Sequence, residues 1–160
     1  MKLYTLGFAF NILLGNVVLI QKRRPAFQHG KWNGIGGGID EIDYAGIPAD
    51  NHELASVRAM VREFKEETSA TTSISQWTHY IDMLCEGKWH VSCYFTILSD
   101  EQIMNIKTAE DQHVVVVPID KLPMSCMRNV PALISFALNW DADLVQMVYS
   151  ENHFKGWEQN

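Results

Sequence analysis

The chain has 160 residues, 47% hydrophobic and 20% charged, with 13 Lys+Arg against 19 Asp+Glu for a net charge of −6. A chain of this size buries roughly two-thirds of its unfolded surface, and the composition excludes disorder and fibrous repeats. The acid excess excludes a surface that coats a nucleic-acid polymer, which needs a basic footprint. It leaves room for a small phosphorylated substrate accompanied by a metal ion. Cys85, Cys93 and Cys126 are odd in number and form no C-x-x-C pair. A disulfide framework or thiolate zinc site is therefore not expected, and a reduced, cytoplasmic setting is. The six histidines are scattered.

The first twenty residues alternate and are broken by Asn11 and Gly15, without a basic leader. Neither a secretion signal nor a membrane span is expected. Leu3–Phe10 and Val17–Lys22 read as strands. Gln28–Asp40 is glycine-rich and reads as a loop with a short extended piece. Ile42–His52, with Gly46 and Pro48, reads as a second loop. Glu53–Thr68 carries Ala55, Ala59, Met60 and Phe64 at helical spacing, with Asp50 or Asn51 as N-cap. Trp77–Cys85 and Trp89–Leu98 flank Glu86-Gly87-Lys88 as a hairpin, and the second arm alternates. Val114–Val117 is a short strand, Pro131–Trp140 a second helix and Leu144–Tyr149 a last strand. The tail, about 151–160, is expected to fray. The pattern predicts one domain over 1–160: an α/β fold, an α/β/α sandwich around a mixed β-sheet.

The strongest chemical signal is Arg62-Glu63-Phe64-Lys65-Glu66-Glu67. On a helix the three carboxylates fall within an arc of about 100°. That crowding is repulsive unless offset. A hard divalent cation, Mg2+ or Mn2+, is the natural partner of clustered oxygens. A solvated acidic face balanced by Arg58, Arg62 and Lys65 is the plainer alternative. Upstream, Trp32 to Asp40 holds four glycines where backbone can approach a ligand.

Glycine loop, second loop and R-E-F-x-E-E helix, in that order, resemble the Nudix hydrolase family, whose box runs G-x5-E-x7-R-E-U-x-E-E-x-G-U. Gly37, Arg62, Glu63, Phe64, Glu66 and Glu67 match. Ser69 stands where the late glycine is expected, and Ala70 at the final apolar position. An insertion of about ten residues falls between roughly 41 and 52. The first box glutamate has no clean counterpart: Glu53 is one residue too far from Arg62, and Asp43 has the right distance from Gly37 but not from the helix. The resemblance implies a Nudix-type sandwich that hydrolyses a nucleoside diphosphate linked to another moiety. Glu63, Glu66 and Glu67 would bind the metal with the Gly37 carbonyl, and Arg62 would hold Glu66. A glutamate, or an acid from a later loop, would take the proton of the attacking water. Glu110 and Asp111 are candidates for that later acid, or a solvated turn.

Lys22-Arg23-Arg24, Phe27 and Gly30-Lys31-Trp32-Asn33-Gly34, with Val117 to Pro123, are similar to the MutT-like branch, the oxidised-purine nucleoside triphosphatases. That resemblance implies base contacts at Phe27 and Asn33. Phe27 can stack on a ring or pack in the core. Asn33 can read a purine edge or brace the glycine loop. Asn129, before Val130-Pro131, reads as a second base-reading amide or as a helix N-cap. Arg23 or Arg24 can grip a phosphate. The implied activity is Mg2+-dependent release of pyrophosphate and a nucleoside monophosphate from a triphosphate. ADP-ribose or a nucleotide sugar is the alternative substrate, and a non-catalytic nucleotide-binding regulatory module the alternative class. The expected partner is a small nucleotide, with no nucleic-acid polymer and no membrane, in a monomer or homodimer.

Overall fold

A computed structural model describes residues 1–150. Seven strands form one mixed sheet: β1 (Lys2–Asn11), β2 (Asn16–Gln21), β3 (Trp32–Asn33), β4 (Thr78–Cys85), β5 (Trp89–Leu98), β6 (Val114–Pro118) and β7 (Val145–Val148). Their order is β3-β2-β1-β5-β4-β7, with β6 paired to β2. β1 runs parallel to β5 from Lys2↔Trp89 to Asn11↔Leu98. β4 and β7 are also parallel, and the other pairs are antiparallel. Leu6 to Phe10 are apolar almost without a break because both faces of β1 are covered, as a parallel strand requires.

The helices are α1 (His52–Thr68), α2 (Asp100–Met104) and α3 (Val130–Leu138). Leu6, Phe8, Val17, Leu19, Cys93, Leu133 and Ile134 join one core, under α3. Ala9, Val18, Ile20, Met60, Phe64 and Tyr94 join the other, under α1. Alternate residues of each strand thus serve opposite cores, and the expected sandwich is what forms. Burying Phe64 completely is worth about 3 kcal/mol relative to exposing it.

Asn51 is the N-cap of α1, its Oδ1 accepting from the Leu54 N–H at 3.2 Å. Ser69 ends the helix at φ 62°, in the left-handed region. The conformation explains why a glycine suits this position: a Cβ there costs on the order of 1 kcal/mol.

Some expectations need correction. The segment 42–52 is not all loop, because Glu41–Tyr44 forms a 3-10 turn with a reciprocal capping box between Asp40 and Asp43. Trp77 lies outside β4, and the last helix begins at Val130 and ends at Leu138. α2 was not foreseen: it has five residues, too few to show a period, and is set by Ser99 and Gln102 capping each other. The expected fraying of the tail falls outside the described residues. Among the described residues no helix is long and apolar enough to cross a membrane.

Candidate active site

The second half of α1 carries Arg62, Glu63, Glu66 and Glu67 beside the glycine loop, which β1 holds through Thr5 N–H to Gly37 O at 2.9 Å and Gly7 N–H to Ile35 O at 2.7 Å. Arg62 is the hub. Its Nε donates to Asp43 Oδ1 at 3.1 Å and its Nη2 to Asp43 Oδ2 at 2.9 Å and Gly38 O at 3.0 Å. Its Nη1 donates to Glu63 Oε1 at 2.7 Å and Glu66 Oε2 at 3.2 Å. The forked bond to Asp43 does most to hold the guanidinium charged, well above its ordinary range.

Glu67 is turned the other way. Its Oε1 lies 3.7 Å from Lys22 Nζ and accepts from Gln112 Nε2 at 3.3 Å, while its Oε2 accepts weakly from Gly36 N–H at 3.4 Å. Burial pushes this carboxyl up to about 7, against the pull of Lys22. Burial also raises Glu63, countered by Arg62.

The shared helical arc is therefore real, but the carboxylates divide between two cations. Among the described residues no three His, Cys, Asp or Glu side chains are grouped to hold a metal ion. The helical period did not reveal Lys22, which arrives from the end of β2. The donor set nevertheless suits a hard cation: oxygen only, with two desolvated carboxylates whose charge lacks full compensation.

The Gly37 carbonyl, the expected ligand, accepts from Thr5 N–H at 2.9 Å with a second lone pair to spare, and the Gly36 carbonyl accepts from Lys22 Nζ at 3.2 Å. Asp43, only 3% exposed, is bonded to Arg62. Glu53 is on the first turn of α1, ten residues or about 15 Å along the axis from Glu63, and lines a separate hollow with His52, His79, Asp82 and His90. Glu110 faces Glu67 closely enough to raise its carboxyl, whereas Asp111 makes an exposed pair with Arg23 at 3.6 Å.

A cleft of about 350 Å3 opens from the glycine loop. That is the size of a small-ligand pocket. Phe27, Asn33 and Asn129 all line it, as do Lys22 and Arg24. Arg23 does not line it; it pairs with Asp111 at the surface. Asn33 also braces the loop, its Oδ1 accepting from Gly34 N–H at 2.8 Å and its Nδ2 donating to Gln28 Oε1 at 3.4 Å. Asn129 occupies the N-cap of α3 without a side-chain capping bond, and its buried Oδ1 has no partner among the described residues. Met83, Trp89 and Tyr149 complete an apolar wall, with Trp89 and Tyr149 ring centres 5.5 Å apart. These three went unnoticed in the sequence because only the pairing of β4 with β5 and β7 brings them together.

A mixed sheet between helices, with an arginine-ordered acidic helix beside a polar-ended, apolar-walled cleft, makes an α/β/α sandwich with a candidate active site at that border. The chain belongs to the NUDIX domain family, whose profile matches residues 7–136, and it is a Nudix hydrolase. Among solved structures it is similar to a MutT NUDIX hydrolase from Burkholderia pseudomallei, at 19% identity and TM-score 0.59 over 84% of this chain and 95% of that one. It is similar to the NUDIX domain of Shewanella oneidensis NrtR, solved with ADP ribose, at 19% identity and TM-score 0.60 over 86% of each chain. It is also similar to C. elegans Ap4A hydrolase, at 16% identity and TM-score 0.59 over 89% of this chain and 99% of that one. At these identities the likeness is one of fold. No curated protein matches the sequence.

Proposed function

We propose that this Nudix hydrolase is a Mg2+-dependent pyrophosphohydrolase of nucleoside triphosphates, with oxidised purine nucleotides as its preferred substrates. The observation that carries the reading is one cleft lined by Lys22, which reaches Glu67 of the acidic helix, by Arg24, and by two amides, Asn33 and Asn129, together with Phe27. Lys22 and Arg24 supply positive charge for a phosphate chain, and Arg24 can meet two oxygens at once. Phe27 offers a ring face to a base.

The Asn129 carboxamide lines the cleft and carries both an acceptor and a donor. A purine oxidised at C8 carries a proton on N7, where the ordinary purine has a bare acceptor. An acceptor in the wall therefore favours the oxidised base, because two facing acceptors leave both unpaired.

Glu63, Glu66 and Glu67, with the Gly37 carbonyl, would hold the metal, which when bound supplies charge to the phosphate oxygens and acidifies water. Arg62 positions Glu63 and Glu66. A glutamate that does not hold the metal, or Glu110 of the later loop, takes a proton at a carboxylate oxygen from water attacking phosphorus.

The test is a panel of 8-oxo-dGTP, dGTP, ADP-ribose and Ap4A with and without Mg2+, followed by release of pyrophosphate. Expected is metal-dependent turnover highest for 8-oxo-dGTP, with Glu67→Gln slower by about 10²–10⁴-fold. ADP-ribose turnover equal to any triphosphate would remove the substrate reading. A Glu67→Gln enzyme as fast as the parent would remove the catalytic one.

A further inference from the structure

Where β2 ends, the acidic helix and the segment leading into the cleft are both reached by one side chain, Gln112, two residues before β6. Its Oε1 accepts from the Arg23 backbone N–H at 3.1 Å, and its Nε2 donates to Glu67 Oε1 at 3.3 Å. Those partners fix the direction of the amide. A backbone N–H only donates and an ionised carboxylate only accepts, so the reversed amide would lose both bonds. The loop is itself fastened on either side of Gln112. Lys107 N–H donates to Thr68 O at 3.0 Å and Ala109 N–H to Glu67 O at 3.2 Å, while Gln21 N–H donates to His113 O at 2.7 Å. The two oxygens of Glu67 are thereby made unequal. Oε1 is held by Gln112, with Lys22 Nζ 3.7 Å away, whereas Oε2 has, among the described residues, one long bond, from Gly36 N–H at 3.4 Å. Arg23, held by the other end of the amide, precedes Arg24, which lines the cleft.

We propose that Gln112 is a positioning residue: it pins Glu67 by Oε1, leaves Oε2 for the divalent cation, and ties this carboxylate to the strand end that carries Arg24. The role rests on the reading of Glu67 as a metal ligand. A neutral donor suits the task. It holds the carboxylate in place without cancelling its charge, so the attraction for a metal ion is kept, whereas a closer pairing with Lys22 would spend that charge on the ammonium.

Two measurements test it. The first is a Mn2+ titration of the nucleotide-free protein at pH 8, with free Mn2+ read by electron paramagnetic resonance, in the parent, Gln112→Leu, Glu67→Gln and the double variant. Leucine keeps most of the bulk and removes both hydrogen bonds. Expected is a Kd about tenfold higher in Gln112→Leu, the worth of one hydrogen bond to a charged group. The same substitution should change little once Glu67 is glutamine, because the effect passes through that carboxylate. An unchanged Kd in Gln112→Leu would overturn the proposal, and so would an equal loss in both backgrounds.

The second measurement needs no variant at Gln112 to fold. The side-chain amide protons of Gln112, assigned through scalar couplings to its own backbone, are followed by NMR at pH 8 in EDTA, in the parent and in Glu67→Gln. One of them is expected downfield in the parent and displaced in Glu67→Gln, where the charged acceptor is gone. Protons that stay in place beside normal Mn2+ binding by the parent would overturn the role of Gln112 alone. A parent that binds no Mn2+ would overturn the metal reading of Glu67, and this role with it.

Discussion

Glu63 lies with its carboxylate against the Cα of Gly37: a Cβ built there would sit 2.5 Å from both Cδ and Oε1. At Gly36 the obstacle is different, for a Cβ would be driven into the backbone carbonyl of Thr5. The two glycines look alike in the sequence and differ in what an alanine would displace. A carboxylate at the end of a flexible side chain can swing aside; a strand carbonyl cannot. Gly37→Ala is therefore expected to change the free energy of unfolding by less than about 1 kcal/mol but to cut turnover about 100-fold, since a displacement near 1 Å at reacting groups has that cost. Gly36→Ala is expected to destabilise by about 1–3 kcal/mol, as overpacking does. Urea denaturation beside an activity assay separates them. Equal losses of stability in both would mean that Gly37 serves the backbone rather than the carboxylate. The loop's glycines marked it as a place of close approach; which atom comes close was hidden, because Glu63 arrives from 26 residues downstream.

At the scale of elements, the interruption between loop and helix is fastened at both ends. Tyr44 Oη meets His52 Nδ1 at 2.7 Å, and Arg58 Nη1 donates to Ala45 O at 2.6 Å. The extra residues follow Asp43, which keeps its distance from Gly37 and reaches Arg62 across 19 positions. Counting back from the helix misses it, since separation along the chain is not separation in space. Removing this acid takes the largest stabilising partner from Arg62 and leaves the Asp40 N–H, which donates to Asp43 Oδ2 at 2.9 Å, without its acceptor. Asp43→Ala is accordingly expected to cost about 2–4 kcal/mol, between a lost charged hydrogen bond and a broken buried pair. Arg62 would then pull harder on Glu63 and Glu66, lowering kcat with little change in KM. Denaturation and steady-state kinetics on one preparation check both; a variant as stable as the parent would place Asp43 outside the framework. The long periodic elements were legible because period and burial agree along α1 and β5. β3, two residues held by β2 and by Trp32 N–H to Ser125 O, was legible only as an extended piece, since partners rather than propensity define it. Phe27, Asn33 and Asn129 were legible as candidates and all line the cleft, whereas Met83 and Tyr149, whose meeting depends on strand order, were not.

Across the whole molecule, the sheet and α1 together keep Glu67 almost out of water, with a side chain only 4% exposed, and this sets how stability should follow pH. Its carboxyl ionises near 7 when folded against an ordinary value of 4.5. A folded pKa above the unfolded one means that the native state binds the proton more tightly. The resulting stabilisation is complete below about 4.5 and is lost as pH rises through about 7. Its size is on the order of 3 kcal/mol. In chelator, the parent should therefore lose stability between pH 5 and pH 8, and Glu67→Gln, neutral throughout, should show a flatter profile. A divalent cation competes with that proton, because only the ionised carboxylate binds it. Mn2+ should consequently raise the parent's unfolding temperature more at pH 8 than at pH 5, by the linkage of binding to folding, and should do less for Glu67→Gln at pH 8. Thermal unfolding at both pH values, with Mn2+ or with EDTA, reads all of these differences. A Glu67→Gln protein that follows the parent's pH profile in chelator would move the buried proton to another group. Equal Mn2+ effects at the two pH values would separate the cation from Glu67 altogether, since a shared carboxylate cannot hold both proton and metal.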